Sequence, residues 1–89
     1  MLKGWKVYIV KCSDGTYYTG ITTDINRRLL EHNYSFKAAK YTRSRRPVRL
    51  VYVESAKDRS TASKREYRIK KLKRVNKQML IESVTNEAR

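Results

Sequence analysis

The sequence predicts an α+β domain: a small three-stranded antiparallel sheet flanked by helices, in ββαβα order. Three observations predict it. Two short runs rich in Val, Ile and Tyr, "KVYIVKC" and "TYYTGI", are separated only by the turn "SDG". A third such run, "VRLVYVE", follows Pro47. Between and after these runs the apolar residues recur at helical spacing rather than in alternation.

The hairpin admits two registers. With Asp14-Gly15 as a two-residue loop, Tyr18 pairs with Lys11, and Tyr8 and Tyr18 fall on opposite faces. With "SDG" as a three-residue loop and Gly15 in the left-handed position, Cys12 pairs with Thr16, Val10 with Tyr18 and Tyr8 with Gly20. The two tyrosines then share a face, on the order of 5–8 Å apart. Type I turns favour Ser and Asp and are commonly followed by such a Gly, so the second register is preferred. Gly20, opposite Tyr8, is expected to leave open space over the strand for the close approach of a ligand or another backbone.

"DINRRLLEHN" reads as the next element, a helix capped by Thr23 or Asp24. Its inward face carries Ile25, Arg28, Leu29 and His32, at i, i+3, i+4 and i+7. An inward Arg beside the chain's single His is unusual in a chain with 22 Lys and Arg to place on its surface. "YSFKAAKYTRSRR" is a basic connector with one short helical turn. Pro47 opens the third strand, a position where Pro is tolerated. After the loop "SAKDRS", "TASKREYRIKKLKRV" is a helix capped by Ser60 or Thr61, with Ala62, Ile69 and Leu72 as its apolar face. "NKQMLIESV" is a last short helix and "TNEAR" a frayed tail. A single domain is expected over residues 1–80, with residues 81–89 forming the helix end and the tail.

Glu66 is the lone acid of "SKREYRIKKLKRV". At 100° per residue it sits about 40° from Ala62 and about 60° from Ile69, at the edge of the buried stripe. A carboxylate there needs a partner; a divalent cation, Arg28 and His32 are the candidates.

Composition restricts the function. With 89 residues there is room for one thin core. The excess of 22 Lys and Arg over 8 Asp and Glu gives a net charge of +14, which favours a polyanion, most simply nucleic acid. No long basic amphipathic helix with an aromatic face suggests a membrane surface. No run approaches a membrane span, and "MLKGWKVYIV" has no leader-like apolar stretch. The single Cys12 argues against a disulfide scaffold or a zinc site. From these features a cytoplasmic protein is expected.

A strand ending in Tyr, a "Y-x-G" ten residues on, a helix with "R-x-x-x-H" and a Glu on a later helix together resemble the GIY-YIG nuclease family. The first motif stands here as Lys6-Val7-Tyr8 and the second as Tyr18-Thr19-Gly20. Arg28 and His32 match the family's helix residues, and Glu66 matches its metal-binding acid. The similarity covers about residues 6 to 80. "AKYTRSRRPVRLVYV" and "REYRIKKLKR" resemble the small stand-alone bacterial members, which carry no separate DNA-targeting domain. The chain departs from the family pattern at Lys6, at Thr19, and in the connector, where Ser35, Phe36 and Ala38 replace frequent glycines.

The resemblance implies a phosphodiesterase using one metal ion. Glu66 would hold a single Mg²⁺ or Mn²⁺, with water and phosphate oxygen in most other positions. Arg28 would fork onto the non-bridging phosphate oxygens, and Tyr18 would orient water or phosphate. Tyr8 is the general base that the resemblance implies, while His32, with an ordinary pKa near 6.5, is the chemically easier base or a relay. Lys40, Arg43, Arg45, Arg46, Arg65 and Lys73 are the expected nucleic-acid contacts, with Arg43 to Arg46 gripping the backbone as a basic loop. The expected activity is endonucleolytic hydrolysis by a monomer, on DNA before RNA and with low sequence specificity. The competing class is a nucleic-acid-binding module without the chemistry. A weaker third is an accessory protein that acts through a protein partner.

Overall fold

Strand β1 (Trp5–Lys11) lies between β2 (Tyr17–Thr22) and β3 (Arg49–Ala56), and both pairings are antiparallel. The computed structural model describes residues 4–87, with side chains through Ser83. Helices α1 (Ile25–Tyr34) and α2 (Lys40–Arg43) separate β2 from β3, and α3 (Arg59–Lys70) and α4 (Arg74–Glu87) follow. This is the expected α+β architecture. The helical turn of the connector and the division of the C-terminal helices make the full order ββααβαα.

The central place of β1 follows from its composition. Val7, Tyr8, Ile9 and Val10 are buried without interruption, as a strand covered on both faces requires. Val7 and Ile9 pack with Tyr52, Ala62 and Ile69 beneath α3, flanked by Leu80 and Ile81 of α4. Tyr8 and Val10 point the other way, into a cluster with Cys12, Val48, Tyr18, Ile25 and Leu29. The sheet therefore separates an aliphatic face from one that carries the tyrosines and α1.

The three-residue turn sets the hairpin register. Cys12 N–H donates to Thr16 O at 2.8 Å, Gly15 has φ +85°, and Tyr8 pairs with Gly20 and Val10 with Tyr18. The space over Gly20 is not open, because the Tyr8 ring fills it: a Cβ on Gly20 would lie 2.5 Å from the Tyr8 hydroxyl. Glycine is needed there to admit a neighbouring side chain rather than a ligand.

Asp24 caps α1 by accepting from Arg27 N–H at 3.1 Å. The cap of α3 is Asp58, which accepts from Thr61 N–H at 2.7 Å, and neither Ser60 nor Thr61 takes that place. A carboxylate at the N-cap satisfies an orphan donor and opposes the helix dipole, so it prevails over the nearby hydroxyls. Helix α3 stops at Lys70 rather than continuing through Val75. Its end tightens, with Leu72 N–H bonding back to Ile69 O at 3.0 Å. Helix α4 continues to Glu87, through most of the expected frayed tail, and residues 88–89 lie outside the described residues. Pro47 does not open β3, which begins at Arg49; the Arg46–Pro47 peptide bond is cis. Asn33 holds the intervening Val48 through both of that residue's backbone groups, at 2.7 and 3.0 Å. Among the described residues no helix is long and apolar enough to cross a membrane.

Candidate active site

The three-residue turn and the i, i+3, i+4, i+7 face of α1 bring Tyr8, Tyr18, Arg28 and His32 to one side of the sheet. His32 is fully buried and Tyr8 nearly so. The Tyr8 hydroxyl lies 2.7 Å from His32 Nε2, and His32 Nδ1 lies 2.8 Å from Thr42 Oγ1 on α2. Thr42 Oγ1 donates its own hydrogen to Ala39 O at 3.1 Å, so it accepts from His32. The hydrogen of the imidazole therefore sits on Nδ1, and Nε2 accepts from Tyr8. The result is a directed chain from Tyr8 through His32 and Thr42 to the Ala39 carbonyl.

Burial sets the charge state of this chain. Loss of water pushes the Tyr8 phenol up to about 12, although Arg28 beside it pulls the other way. Burial, reinforced by Arg28, pushes His32 down to about 4. Both groups are neutral near pH 7. The cationic neighbour that a basic tyrosine requires is present, but desolvation prevails over it.

Three side chains form the wetter rim. Tyr18 sets its ring edge-on to His32, 5.4 Å between centroids, and stacks on Tyr41 at 6.1 Å. Arg45 also covers the Tyr41 ring, its guanidinium 3.9 Å from the centroid. Arg28 remains partly exposed, and its Nη1 donates to Glu31 Oε1 at 2.8 Å and to Lys37 O at 2.7 Å. Burial works against the Arg28 charge, while Glu31 and Tyr8 hold it in place. Glu66 arrives from α3, close enough that its charge acts on Tyr8. It is 21% exposed and pairs with Lys70, at 3.2 Å, rather than with Arg28 or His32. Lys70 Nζ also lies 5.8 Å from the Tyr18 ring, so the partner of Glu66 faces the site.

A metal must fit this donor set. Among the described residues no three His, Cys, Asp or Glu side chains cluster. Both nitrogens of His32 are engaged, and Glu66 is the carboxylate at the rim. One hard oxygen donor beside water suits Mg²⁺ or Mn²⁺, which keep most of their hydration, and not a zinc-like ion that requires three or four protein ligands.

The expected nucleic-acid contacts are scattered in role. Arg46 donates to His32 O at 2.6 Å and to Ser35 O, closing the connector onto the end of α1. Arg45 pairs with Asp14 at 3.0 Å and donates to Tyr41 O at 2.8 Å. Arg43 reaches Phe36 O at 3.2 Å. Arg65 pairs with Glu54 at 2.9 Å, next to the Tyr52–Glu54 hydrogen bond. Lys40 and Lys73 are exposed. The arginines of "RSRRP" thus act first as internal clamps. Sequence reasoning missed Thr42, Tyr41 and Glu31. The available signals were a buried His that needs a second partner and a Glu at i+3 from the inward Arg.

The GIY-YIG catalytic domain model matches residues 4–79. A UPF0213 protein of Desulfotalea psychrophila is 63% identical over 79 residues, covering 89% of this chain and 72% of its own. A UPF0213 protein of Halobacterium salinarum is 57% identical over 74 residues, covering 83% and 95%. The solution structure of a UPF0213 protein from Bacillus halodurans is 44% identical, with a TM-score of 0.57 over 89% of this chain and 83% of that one. A second solution structure, of a protein from E. faecalis, is 39% identical with a TM-score of 0.63 over 93% and 88%. Motif, sheet order and relatives agree, and the chain belongs to the GIY-YIG catalytic domain family.

Proposed function

We propose that the protein is a cytoplasmic, monomeric endonuclease that hydrolyses phosphodiester bonds with one Mg²⁺ or Mn²⁺ ion, on DNA before RNA and with low sequence specificity. The observation that carries this reading is the directed hydrogen bond from Tyr8 to His32 Nε2, 2.7 Å long and buried beside Arg28 and Glu66. In the proposed step, the Tyr8 hydroxyl takes a proton from the attacking water as it passes its own to His32. No buried phenolate accumulates, which overcomes the objection raised by a phenol near 12. The water oxygen bonds to phosphorus, the bond from phosphorus to the leaving oxygen breaks, and that oxygen takes a proton from solvent at the rim. An arriving phosphate also favours imidazolium at His32, offsetting the desolvation that keeps it neutral. Arg28 binds the non-bridging oxygens and Tyr18 orients the phosphate. Glu66 would hold the metal, which when bound neutralises charge developing on the phosphate.

A second reading, a nucleic-acid-binding module without chemistry, draws on a specific feature: Arg28 Nη1 already serves Glu31 and the Lys37 carbonyl. A cleavage assay on mixed DNA and RNA structures, with Mg²⁺, Mn²⁺ or EDTA and beside Glu66→Ala, separates the two. Metal-dependent cleavage that disappears in EDTA and in Glu66→Ala supports the nuclease. Salt-sensitive binding without cleavage under any metal supports the module.

A further inference from the structure

Helix α3 carries cations on two separate sides. Lys70 turns toward the candidate active site, with its Nζ near both Glu66 and the Tyr18 ring. Lys64, Tyr67, Arg68 and Lys71 are all exposed and lie about 100–200° around the helix axis from Glu66. Ala62 and Ile69, fully buried, occupy roughly the opposite side. The stripe therefore faces away from both the core and the Tyr8–His32 pair.

Its charges are uncommitted in a way that those of the connector are not. Arg45 and Arg46 are bound to Asp14 and to backbone carbonyls. Among the described residues no carboxylate lies within ion-pair distance of Lys64, Arg68 or Lys71. Lys64 and Arg68 form a ridge between two shallow depressions of about 250 and 380 Å³, one lined also by Thr61 and Arg65, the other by Ser63 and Tyr67. Lys71 lies over one face of the exposed Tyr67 ring, 4.5 Å from its centroid. A cationic ridge on which lysine and arginine outnumber the single aromatic ring suits phosphates before bases.

We propose that this outer face of α3 is a second nucleic-acid contact surface, distinct from the candidate active site, which holds the phosphate backbone of a separate duplex segment. Three cations spread over about 10 Å of helix lie against a polymer with one charge per about 1.7 Å of axis. The stripe is turned about 100–200° around the α3 axis from Glu66, so a straight duplex seated over Glu66 does not lie along it. The proposal rests on nucleic-acid binding, one half of the function proposed above, and not on hydrolysis.

The test uses the full chain in EDTA with a 12-base-pair DNA duplex. Wild type is expected to bind two duplexes at low salt, read by sedimentation, and the Lys64→Gln/Arg68→Gln/Lys71→Gln variant one. The salt slope of log K should become shallower by about 2.7, the contribution of three phosphate contacts. A control of equal charge, Arg27→Gln/Lys57→Gln/Lys77→Gln, should keep the wild-type slope. One duplex per wild-type chain, an unchanged slope in the first variant, or an equal change in the control overturns the second surface and leaves the active-site reading intact. No duplex binding at all overturns both. Phosphatidylserine vesicles form the last arm: if the first variant loses vesicle binding and keeps its duplex slope, the surface is a membrane contact and the proposal fails.

Discussion

The site has a floor and a rim, and they are built in different ways. At the floor, Tyr8, His32 and Thr42 are buried, neutral and fully hydrogen-bonded to one another. At the rim, Arg28 and Glu66 are charged, partly wet and bound to partners they can exchange, Glu31 and Lys70. Satisfied buried polar groups stabilise a fold, and leaving one unpaired costs about 1–3 kcal/mol. Ion pairs that keep contact with water contribute less than such buried bonds. The difference teaches which substitutions separate function from folding: rim variants should strike activity alone, floor variants activity and stability together.

The largest effect is expected at the rim. Arg28→Lys keeps the charge but loses the planar fork, and turnover should fall about 10²-fold or more. Its melting temperature should stay near that of wild type. A stability loss that tracks the loss of activity would make Arg28 a structural residue and erase the distinction.

The next effect belongs to the floor. His32 is pushed down to about 4 from an ordinary 6.5, so the folded state binds fewer protons than the unfolded chain between those values. Stability is then full above pH 6.5 and falls as pH drops toward 4, by on the order of 3 kcal/mol. Asp14, Glu31 and Asp58 are held below their ordinary values, so their own contribution is lost only at lower pH. Urea unfolding at pH 7 and pH 5 should show a drop that His32→Gln abolishes. A flat profile would mean that water reaches the imidazole.

Local features made much of this legible. The turn residues Ser13, Asp14 and Gly15 set the hairpin register, and with it the shared face of Tyr8 and Tyr18. Helical spacing placed Arg28 and His32 inward. It also placed Glu66 at the edge of the buried stripe, though not the Lys70 that meets it. The connector resisted reading because its contacts lie between segments far apart in sequence. Nothing near Arg46 indicates that it bonds the carbonyl of His32, and nothing near Thr42 that it receives the His32 Nδ1 hydrogen. The break after Lys70 is marked by neither Gly nor Pro. The cap at Asp58 was missed because Ser60 and Thr61, two and three residues on, could each have served as well.

The connector gives a smaller, internal contrast. Arg46→Ala removes part-buried bonds to His32 O and Ser35 O and should cost roughly 1–3 kcal/mol. Arg43→Ala removes two longer bonds, to Phe36 O and Ala38 O, from an exposed side chain and should cost less than about 0.5 kcal/mol. Thermal melts of the two variants decide whether the basic loop is a clamp or a free grip. Equal and negligible losses would return Arg46 to the role of a nucleic-acid contact.

Thr42 gives the most selective effect. Thr42→Val keeps the shape and removes the oxygen that accepts from His32 Nδ1. The buried imidazole then has a donor without an acceptor, and the fold should lose about 1–2 kcal/mol. The tautomer is released as well. With the hydrogen moved to Nε2, His32 can no longer accept from Tyr8, and the proton route of the proposed reaction is broken. Turnover should therefore fall by more than the modest stability loss explains, with binding of nucleic acid unchanged. Thr42→Ser restores the hydroxyl without the methyl and should recover the rate while remaining slightly less stable. Imidazole nitrogen chemical shifts read the tautomer directly: wild type and Thr42→Ser should carry the hydrogen on Nδ1, and Thr42→Val should shift toward Nε2. If Thr42→Val retains the wild-type tautomer and rate, the chain from Tyr8 through His32 is a packing arrangement and the proton passes by another way.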